Sequence, residues 1–149
     1  ENKKRLKTLS SNRTIPVHPE LIKIGFITFW QNQRKKNAKK LFPSVKPVKG
    51  KWSHYHSRWF NEKCLPKAKA KTAKHTFHSF RHNFRNAERR AELPKELADF
   101  LGGWKTDGVS SSYGDMNSAY STKQLYDAIS KIKYEGLDLS HLYPKHRER

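Results

Sequence analysis

Positive charge is the feature that most restricts how this chain can fold. The sequence has 32 lysines and arginines against 13 aspartates and glutamates, which gives a formal net charge of +19. Charges in such excess repel one another in a compact state unless a polyanion lies close by. Nucleic acid is therefore the natural partner, although a basic ribosomal or histone-like protein would show the same excess, because neutralising phosphates releases counterions whatever the fold.

The length of 149 residues fits one domain with a modest core. A single cysteine, Cys64, excludes an internal disulfide, and the sequence has neither a signal peptide nor a long apolar run. We therefore expect a soluble, cytoplasmic, DNA-associated protein with no membrane partner. The chain begins at Glu1 without an initiator methionine and enters a strand-like segment directly, so we expect a domain cut from a longer protein.

The first 18 residues have the pattern of a short β-hairpin. Two strand-like segments, Lys3 to Thr8 and Arg13 to Val17, flank the polar cluster Leu9-Ser10-Ser11-Asn12, which suits a turn. Pro16 lacks a backbone N–H and therefore favours an edge strand.

The rest of the chain is predicted to be mainly helical, because apolar residues recur at helical spacing and capping residues stand at the ends. We expect helices over Pro19 to about Gln33, Ser53 to Leu65, Ser79 to Ala91, Pro94 to Leu101, and Thr122 to Ile132. Gly102 and Gly103 are expected to end the fourth helix by allowing positive φ. Two basic segments, Arg34 to Lys51 and Lys67 to Lys74, are expected to be exposed loops that DNA can order. The sequence thus predicts an α+β fold, mostly α-helical with a small antiparallel β-sheet.

Three aromatic residues of the second predicted helix, Tyr55, Trp59 and Phe60, form a plausible packing stripe. We expect them to lie in the core, with base stacking as the alternative role.

Three short segments carry the chemistry, and they occur in a fixed order. His78-Ser79-Phe80-Arg81-His82 is followed by Leu101-Gly102-Gly103-Trp104 and then by Ser112-Tyr113-Gly114. Arg81 precedes Trp104 by 23 residues, and Trp104 precedes Tyr113 by nine. In order and spacing, these segments resemble the HxxR motif, the His-or-Trp motif and the tyrosine motif of the tyrosine recombinase (integrase) family.

The resemblance covers nearly the whole chain, from Lys3 to about Ile132. It implies that residues 1–149 form part of the family's catalytic-domain fold, truncated at its N-terminus. Leu6-Lys7-Thr8 followed by Arg13 to Val17 resembles the family's hairpin, in which a KT pair precedes an R-x-x-P strand, and this identifies Lys7 as the hairpin lysine. The implied function is site-specific DNA recombination or integration for a phage or mobile element, through a covalent 3′-phosphotyrosyl intermediate.

Cutting a phosphodiester without a metal or cofactor requires a nucleophile, donors for the phosphoryl oxygens and an acid for the leaving 5′ oxygen. Tyr113 is the expected nucleophile, and its phosphotyrosyl link preserves the energy of the broken bond. Arg81 is expected to hold the phosphate through its planar guanidinium. The resemblance implies that Lys7 protonates the leaving oxygen. His78 is expected to assist proton transfer from the tyrosine or to position the phosphate.

Trp104 stands where many family members have histidine and some have tryptophan. Its indole N–H can donate one hydrogen bond to the phosphate but cannot transfer a proton. Packing after a helix end is the alternative role. The two roles are compatible, because one ring edge can pack while the N–H faces the phosphate.

A second HxxR, His82-Asn83-Phe84-Arg85, follows four residues after the first. Its distances to Trp104 and Tyr113 along the chain are four residues too short, so we assign His78 and Arg81 instead.

Other candidates for chemistry are weaker. His75, His78 and His82 could suggest zinc, but no fourth ligand of convincing spacing accompanies them, so no metal is expected. Tyr120 and Tyr126 are alternative nucleophiles that the spacing disfavours.

The family's complete site has another arginine, and usually an acidic residue, on a helix before the hairpin. The family also has an amino-terminal domain that clamps DNA. None of these features can be placed in this sequence. Losing one such arginine removes on the order of two to three powers of ten in rate, so we expect the isolated segment to be nearly inactive. One alternative is a basic DNA-binding relative without catalytic activity. A type IB topoisomerase shares the chemistry, but the HxxR-to-Tyr spacing is closer to integrases.

The expected partner is double-stranded DNA, on which the longer protein would associate as a tetrameric synapse. In the C-terminal helix and tail, residues 121–149, an apolar face of Leu125, Ile129 and Ile132 needs a partner. The resemblance implies docking on a neighbouring protomer, and folding back on the same domain is the alternative. The segment from Tyr134 to Arg149 would extend either surface.

Overall fold

A computed structural model describes residues 12–104 and 119–144, which form helices and loops. The α-helices are α1 (Pro19–Lys23), α2 (Phe26–Lys35), α3 (His54–Trp59), α4 (Leu65–Lys67), α5 (Ser79–Arg90), α6 (Lys95–Gly102) and α7 (Thr122–Lys131), with a π-helix at Phe60–Cys64 and a 3₁₀ helix at Ser140–Leu142. None of the helices in these two ranges is long and apolar enough to cross a membrane. The chain divides into two compact units, here called unit 1 (Glu1–Ile24 and Phe84–Arg149) and unit 2 (Gly25–Asn83).

The predicted antiparallel sheet is absent from the described part of the chain, so the α+β assignment is wrong there. The second predicted strand, Arg13 to Val17, is irregular, and the first, Lys3 to Thr8, lies outside the described residues. Ile15 packs against the core of unit 1, and Pro16 cannot donate to a ladder. The segment therefore leads into α1 without pairing as a strand.

The helix predicted from Pro19 to Gln33 is in fact two helices. Gly25 adopts a left-handed conformation with φ of 88°, which ends the run of α1 and forms the N-cap of α2. Glycine occupies this region without the steric penalty of a Cβ atom. The break also marks the boundary between unit 1 and unit 2.

The helix predicted from Ser53 to Leu65 is confirmed as a helical run, but its middle is π-helical. The N–H of Leu65 donates to the carbonyl of Phe60, five residues earlier. The next residue, Pro66, has no N–H, and in a regular α-helix its ring would clash with the carbonyl four residues before it. The wider turn accommodates the proline within the helical run.

The three helices predicted in the second half are confirmed, with boundaries that move by about one residue. Gly103 follows α6 with φ of 62°, as expected for a glycine that ends a helix. Before α7, the Ser121 side chain accepts a hydrogen bond from the Gln124 N–H, and the Gln124 side chain accepts one from the Ser121 N–H. This reciprocal capping box fixes where α7 begins.

Unit 1 contains a hydrophobic core built from α5, α6 and α7. Its buried members are Ala87, Phe100, Leu101, Leu125, Ala128, Ile129 and Ile132. The apolar face of α7 is therefore buried within its own chain, which is the fold-back alternative. The Tyr143 hydroxyl also donates to Glu20 of α1 at 2.7 Å, so the described part of the tail docks on the same unit. Self-association on DNA stays a prediction.

Unit 2 has a different construction. All of its residues, Gly25–Asn83, are described, and none of them is fully buried. Its best-packed region is a set of half-exposed rings, Phe60, Phe77 and Phe80, whose centroids lie 5.2–5.7 Å apart. Such ring pairs add only modest stability, so unit 2 depends much less on apolar burial than unit 1 does.

Replacing Ile132 with alanine tests whether α7 stabilises its own unit. Ile132 is 2% exposed, so Ile132→Ala should lower the free energy of unfolding by about 3 kcal/mol. Tyr126→Ala is the matched control on the same helix, since Tyr126 is 41% exposed and should change stability little. Thermal denaturation at several protein concentrations measures both effects. Equal melting temperatures for the two variants would contradict cis packing of α7.

Candidate nucleic-acid interface

The start of α5 is held by a local hydrogen-bond network within unit 2. The hydroxyl of Thr76 accepts from the N–H of His78 at 3.2 Å, and the hydroxyl of Ser79 accepts from the N–H of Thr76 at 3.1 Å. The N–H of Phe77 donates to the side chain of Asn61 at 2.9 Å. These bonds satisfy the amide groups of the three residues that lead into α5. They fix the backbone of the first predicted HxxR.

His78 immediately precedes α5 and Arg81 lies in its first turn, and both residues are exposed. The ring of His78 meets the ring of His82 edge-on, with centroids 5.4 Å apart. A guanidinium can bind two phosphate oxygens at once, and an imidazole beside it can add a further hydrogen bond. The structure thus places these two predicted site residues together on one helical turn.

Arg85, the arginine of the second HxxR, has a different environment in unit 1. Its guanidinium lies 2.7 Å from Asp99 and 3.5 Å from Glu88, both of which are 1% exposed. Lys95 reaches the other oxygen of Asp99 at 2.8 Å. A buried carboxylate needs such partners, because an unpaired charge in the interior is very costly. Arg85 is therefore committed to compensating buried carboxylates.

The pKa of Asp99 reflects this balance. Burial alone would raise the pKa of the carboxyl group, but the hydrogen bonds and charges of Lys95 and Arg85 together lower it below its ordinary value. Asp99 is therefore ionised at neutral pH, and its pairing with Arg85 joins α5 to α6.

Trp104 packs against its own unit. Its ring stacks on Phe84 with centroids 6.1 Å apart and an interplanar angle of 20°, and the Arg85 guanidinium lies 4.6 Å from its centroid. The ring also covers Gly102, where an added Cβ would overlap the indole carbon atoms. The packing role considered for Trp104 is thus present, and its role toward a phosphate stays a prediction.

The backbone around Gly103 is close to the guanidinium of Arg13. A Cβ added at Gly103 would lie 2.5 Å from the guanidinium carbon of Arg13. Real Cβ atoms do not approach so closely, and the positive φ independently disfavours a side chain. The backbone conformation therefore favours glycine here, whereas the Arg13 side chain could move to admit a Cβ atom.

The five predicted site residues fall into three groups. His78 and Arg81 belong to unit 2, Trp104 belongs to unit 1, and Lys7 and Tyr113 lie outside the described residues. Within unit 2, His78 and Arg81 are close together, since the Arg81 N–H donates to the His78 carbonyl at 3.0 Å.

The two competing tyrosines are both described. Tyr120 packs edge-on against Phe100 with centroids 5.4 Å apart, and burial, with a smaller effect of the Glu96 charge, raises its pKa. A raised pKa makes a phenol harder to deprotonate and thus a poorer nucleophile. Tyr126 is 41% exposed on α7.

Most of the chain's excess positive charge belongs to unit 2. It contains 15 of the 32 lysines and arginines but only one of the 13 acidic residues, Glu62. That carboxylate is already paired with Arg58 at 3.0 Å. The basic segment Lys67 to Lys74 is exposed along its whole length, as expected. This distribution of charge leaves unit 2 with little internal compensation for its cations.

Sequence reasoning placed Tyr55 and Trp59 in the core, and this prediction is wrong. Their side chains are 72% and 51% exposed, whereas Phe60 is half-buried beside Phe77. Both exposed rings line a groove of about 630 Å³ in unit 2. A signal was present in the sequence, since His54, His56 and Arg58 alternate with these aromatics and mark a polar surface.

Within the described ranges, no group of three or more His, Cys, Asp or Glu side chains is placed to hold a metal ion. Comparison with protein-family models, curated proteins and solved structures finds no significant match to this chain. Functional conclusions therefore depend on the residues themselves.

Arg85→Met and Arg81→Met form a matched pair that separates the two HxxR arginines. Arg85→Met leaves two buried carboxylates without their guanidinium, and should lower the free energy of unfolding at neutral pH by about 3 kcal/mol. Arg81→Met removes an exposed side chain and should lower the free energy of unfolding clearly less than Arg85→Met does. Urea denaturation measures both.

The difference between these variants should shrink in acid. Ionised Asp99 stabilises the wild-type fold above its unfolded-state pKa, and this contribution is lost as the pH falls through its lowered folded-state pKa. Protonation also removes the charge that Arg85→Met leaves unpaired. A penalty for Arg85→Met that stayed constant from neutral to strongly acidic pH would rule out this role for the ion pairs.

Proposed function

We propose that this chain binds double-stranded DNA and carries the catalytic residues of a strand-exchange enzyme of the tyrosine recombinase type. The ordered motifs ending at Arg81, Trp104 and Tyr113 support the chemistry. The observation that carries the proposal is on α5, where Arg81 is exposed while Arg85 is committed to buried carboxylates. Of two overlapping HxxR motifs, the one with recombinase spacing thus has its arginine at the surface.

The proposed reaction conserves the phosphodiester. The Tyr113 oxygen attacks phosphorus as the bond to the 5′ oxygen breaks, giving a 3′-phosphotyrosyl link and a 5′ hydroxyl. His78 assists removal of the phenolic proton, and Lys7 protonates the leaving oxygen. Arg81 holds the non-bridging oxygens, whose negative charge grows in the transition state. Attack by the 5′ hydroxyl of another strand reverses these steps and needs no external energy source.

Unit 2 would supply much of the affinity for DNA. Its basic segments, Arg34 to Lys40, Lys46 to Lys51 and Lys67 to Lys74, contain most of its lysines, and Glu62 is its only opposing charge. Phosphate neutralisation of this kind depends little on base sequence. Sequence preference is therefore expected to be weak in this part of the protein.

A second candidate function is DNA binding without cleavage. The irregular backbone from Arg13 to Val17 favours it, because the family's mobile lysine is carried on a paired hairpin and this segment forms no strand. The two functions differ in one respect: binding alone needs neither Tyr113 nor Lys7.

A covalent trapping experiment tests the cleavage chemistry. A pool of duplexes of varied sequence, each with one bridging 5′ oxygen replaced by sulfur, is incubated with the protein. Cleavage releases a 5′ thiol that does not rejoin readily, so a protein–DNA adduct should accumulate, and mass spectrometry should locate it on Tyr113. Tyr113→Phe should abolish the adduct, whereas Tyr120→Phe and Tyr126→Phe should retain it.

The sulfur-bridged duplex also tests whether Lys7 is the general acid that protonates the leaving oxygen. A thiolate leaves without protonation, so Lys7→Ala should form the adduct on sulfur-bridged DNA but lose on the order of 10²–10⁴ in rate on ordinary DNA. Where the reading frame continues upstream of Glu1 and encodes the family's upstream arginine, the experiment is run with that longer protein. An adduct on Tyr120 or Tyr126, or none with that arginine present, would refute cleavage by Tyr113 and leave the binding function.

Salt dependence tests the binding surface. Duplex affinity should fall steeply as salt increases, with a log–log slope of about −0.9 for each phosphate neutralised. Changing Lys67, Lys69, Lys71 and Lys74 to glutamine should make the slope shallower by up to about 3 to 4. Changing Arg90, Lys123, Lys131 and Lys133 of unit 1 to glutamine is the matched control, since all four are exposed. Titrations of labelled duplex would contradict the proposal if the slope were near zero, or if both sets changed it equally.

A further inference from the structure

The groove in unit 2 lies between a helix and the loop that precedes it. Tyr55, His56 and Trp59 of α3 form one side, and Val45, Lys46 and Val48 of the preceding loop form the other. The groove encloses about 630 Å³, which is ample for a planar group the size of a nucleobase.

Local structure holds both walls in place. The ring of His56 contacts both Trp59 and Phe77, at centroid distances of 5.9 Å and 5.0 Å. It thus connects the groove to the cluster of phenylalanine rings that includes Phe77. On the loop side, Val48 and Lys51 exchange two backbone hydrogen bonds of 2.9 Å and 3.1 Å across a tight turn. Lys49 and Gly50 both have positive φ in this turn, as a type I′ turn requires.

The exposure of the aromatic rings is not explained by folding. Tyr55 is 72% exposed and Trp59 is 51% exposed, although burying either ring would stabilise the fold. Large rings held open to solvent beside a concave surface are characteristic of a binding site.

The positive charge around the groove favours an anionic ligand. Lys46 lines the groove, and Lys49 and Lys51 lie exposed in the turn that follows it. The single acidic residue of unit 2, Glu62, is paired with Arg58. A lysine also lies over an exposed ring nearby, with the Lys40 ammonium 3.8 Å from the ring centroid of Trp52. Rings for stacking, combined with cations for a backbone, match single-stranded nucleic acid.

We propose that this groove binds an unpaired nucleobase of a single strand, stacked on Tyr55 and Trp59, while Lys46, Lys49 and Lys51 bind the adjoining phosphates. An acidic peptide would use the lysines but gain little from the rings. A duplex offers its phosphates but keeps its bases stacked on one another, so it would use the lysines alone.

The proposal goes beyond strand exchange and does not depend on Tyr113. Strand exchange does pass through stages with unpaired ends, and a groove for unpaired bases would suit them. Binding of single strands is nevertheless measured without cleavage, so failure of the covalent trapping experiment leaves this test unaffected.

The experiment compares two labelled single strands of the same length, about 12 nucleotides. One is oligo(dT), and the other is an abasic strand with the same phosphates but no bases. Fluorescence anisotropy at fixed salt should show that the full chain binds oligo(dT) about tenfold more tightly than the abasic strand. Tyr55→Ala and Trp59→Ala should each remove most of this preference, while affinity for the abasic strand and for a duplex stays within about twofold.

Two control variants distinguish a loss of base stacking from a loss of folding and from non-specific binding by exposed aromatic rings. Tyr55→Phe keeps the ring and should keep the preference for bases, even if Tyr55→Ala impairs folding. Trp30→Ala removes another exposed tryptophan of unit 2, which is 41% exposed and has the Arg34 guanidinium 5.2 Å from its ring centroid, but does not line the groove. It should leave the preference unchanged. Circular dichroism and melting temperature show whether each variant is folded.

Three results would overturn the proposal. The first is equal binding of oligo(dT) and the abasic strand by the wild-type chain. The second is a Trp59→Ala variant that loses as much affinity for a duplex as for oligo(dT). The third is a Trp59→Ala variant that loses as much affinity for poly-glutamate as for oligo(dT). The last result would assign the groove to an acidic peptide. A matching preference for oligo(rU) over an abasic ribose strand would support the base, and not the sugar, as the recognised group.

Discussion

Asp99 and Glu88 are buried carboxylates of unit 1, and both face the guanidinium of Arg85. Two negative charges could not occupy this interior without that cation, and Lys95 adds a second cation at Asp99. The same guanidinium lies over the ring of Trp104, so one side chain links α5, α6 and the segment just after α6. The apolar core formed with α7 packs around helices whose arrangement this pairing specifies.

The two units use opposite means of remaining compact. Unit 1 buries apolar side chains and compensates its carboxylates, and it carries 12 of the 13 acidic residues. Unit 2 has no fully buried residue along its described length and has 15 cations against one anion. Repulsion among these cations opposes compaction, and little apolar burial offsets it. A bound polyanion would relieve this repulsion and would thereby stabilise the folded state of unit 2.

Much of the helical structure could be predicted from sequence, because capping residues and apolar spacing are local signals. Ser121 and Gly103 act as the helix boundaries that their chemistry predicts. The predicted strand from Arg13 to Val17 failed because pairing requires a partner, which local pattern cannot supply. The exposure of Tyr55 and Trp59 was missed for a related reason. A stripe at helical spacing shows that a face is apolar, but not whether another element covers it.

The two HxxR motifs show what the structure adds to the candidate site. In sequence they are equivalent, and only their spacing to Trp104 and Tyr113 favours the first. In the structure their arginines lie one helical turn apart on α5, but Arg85 compensates buried charge and Arg81 is exposed. A phosphate-binding side chain gains precision when its backbone belongs to a regular helix with a well-bonded start, as the Thr76 and Ser79 hydroxyls provide here. The arginine of the second motif is thus better understood as part of the charge compensation that stabilises unit 1.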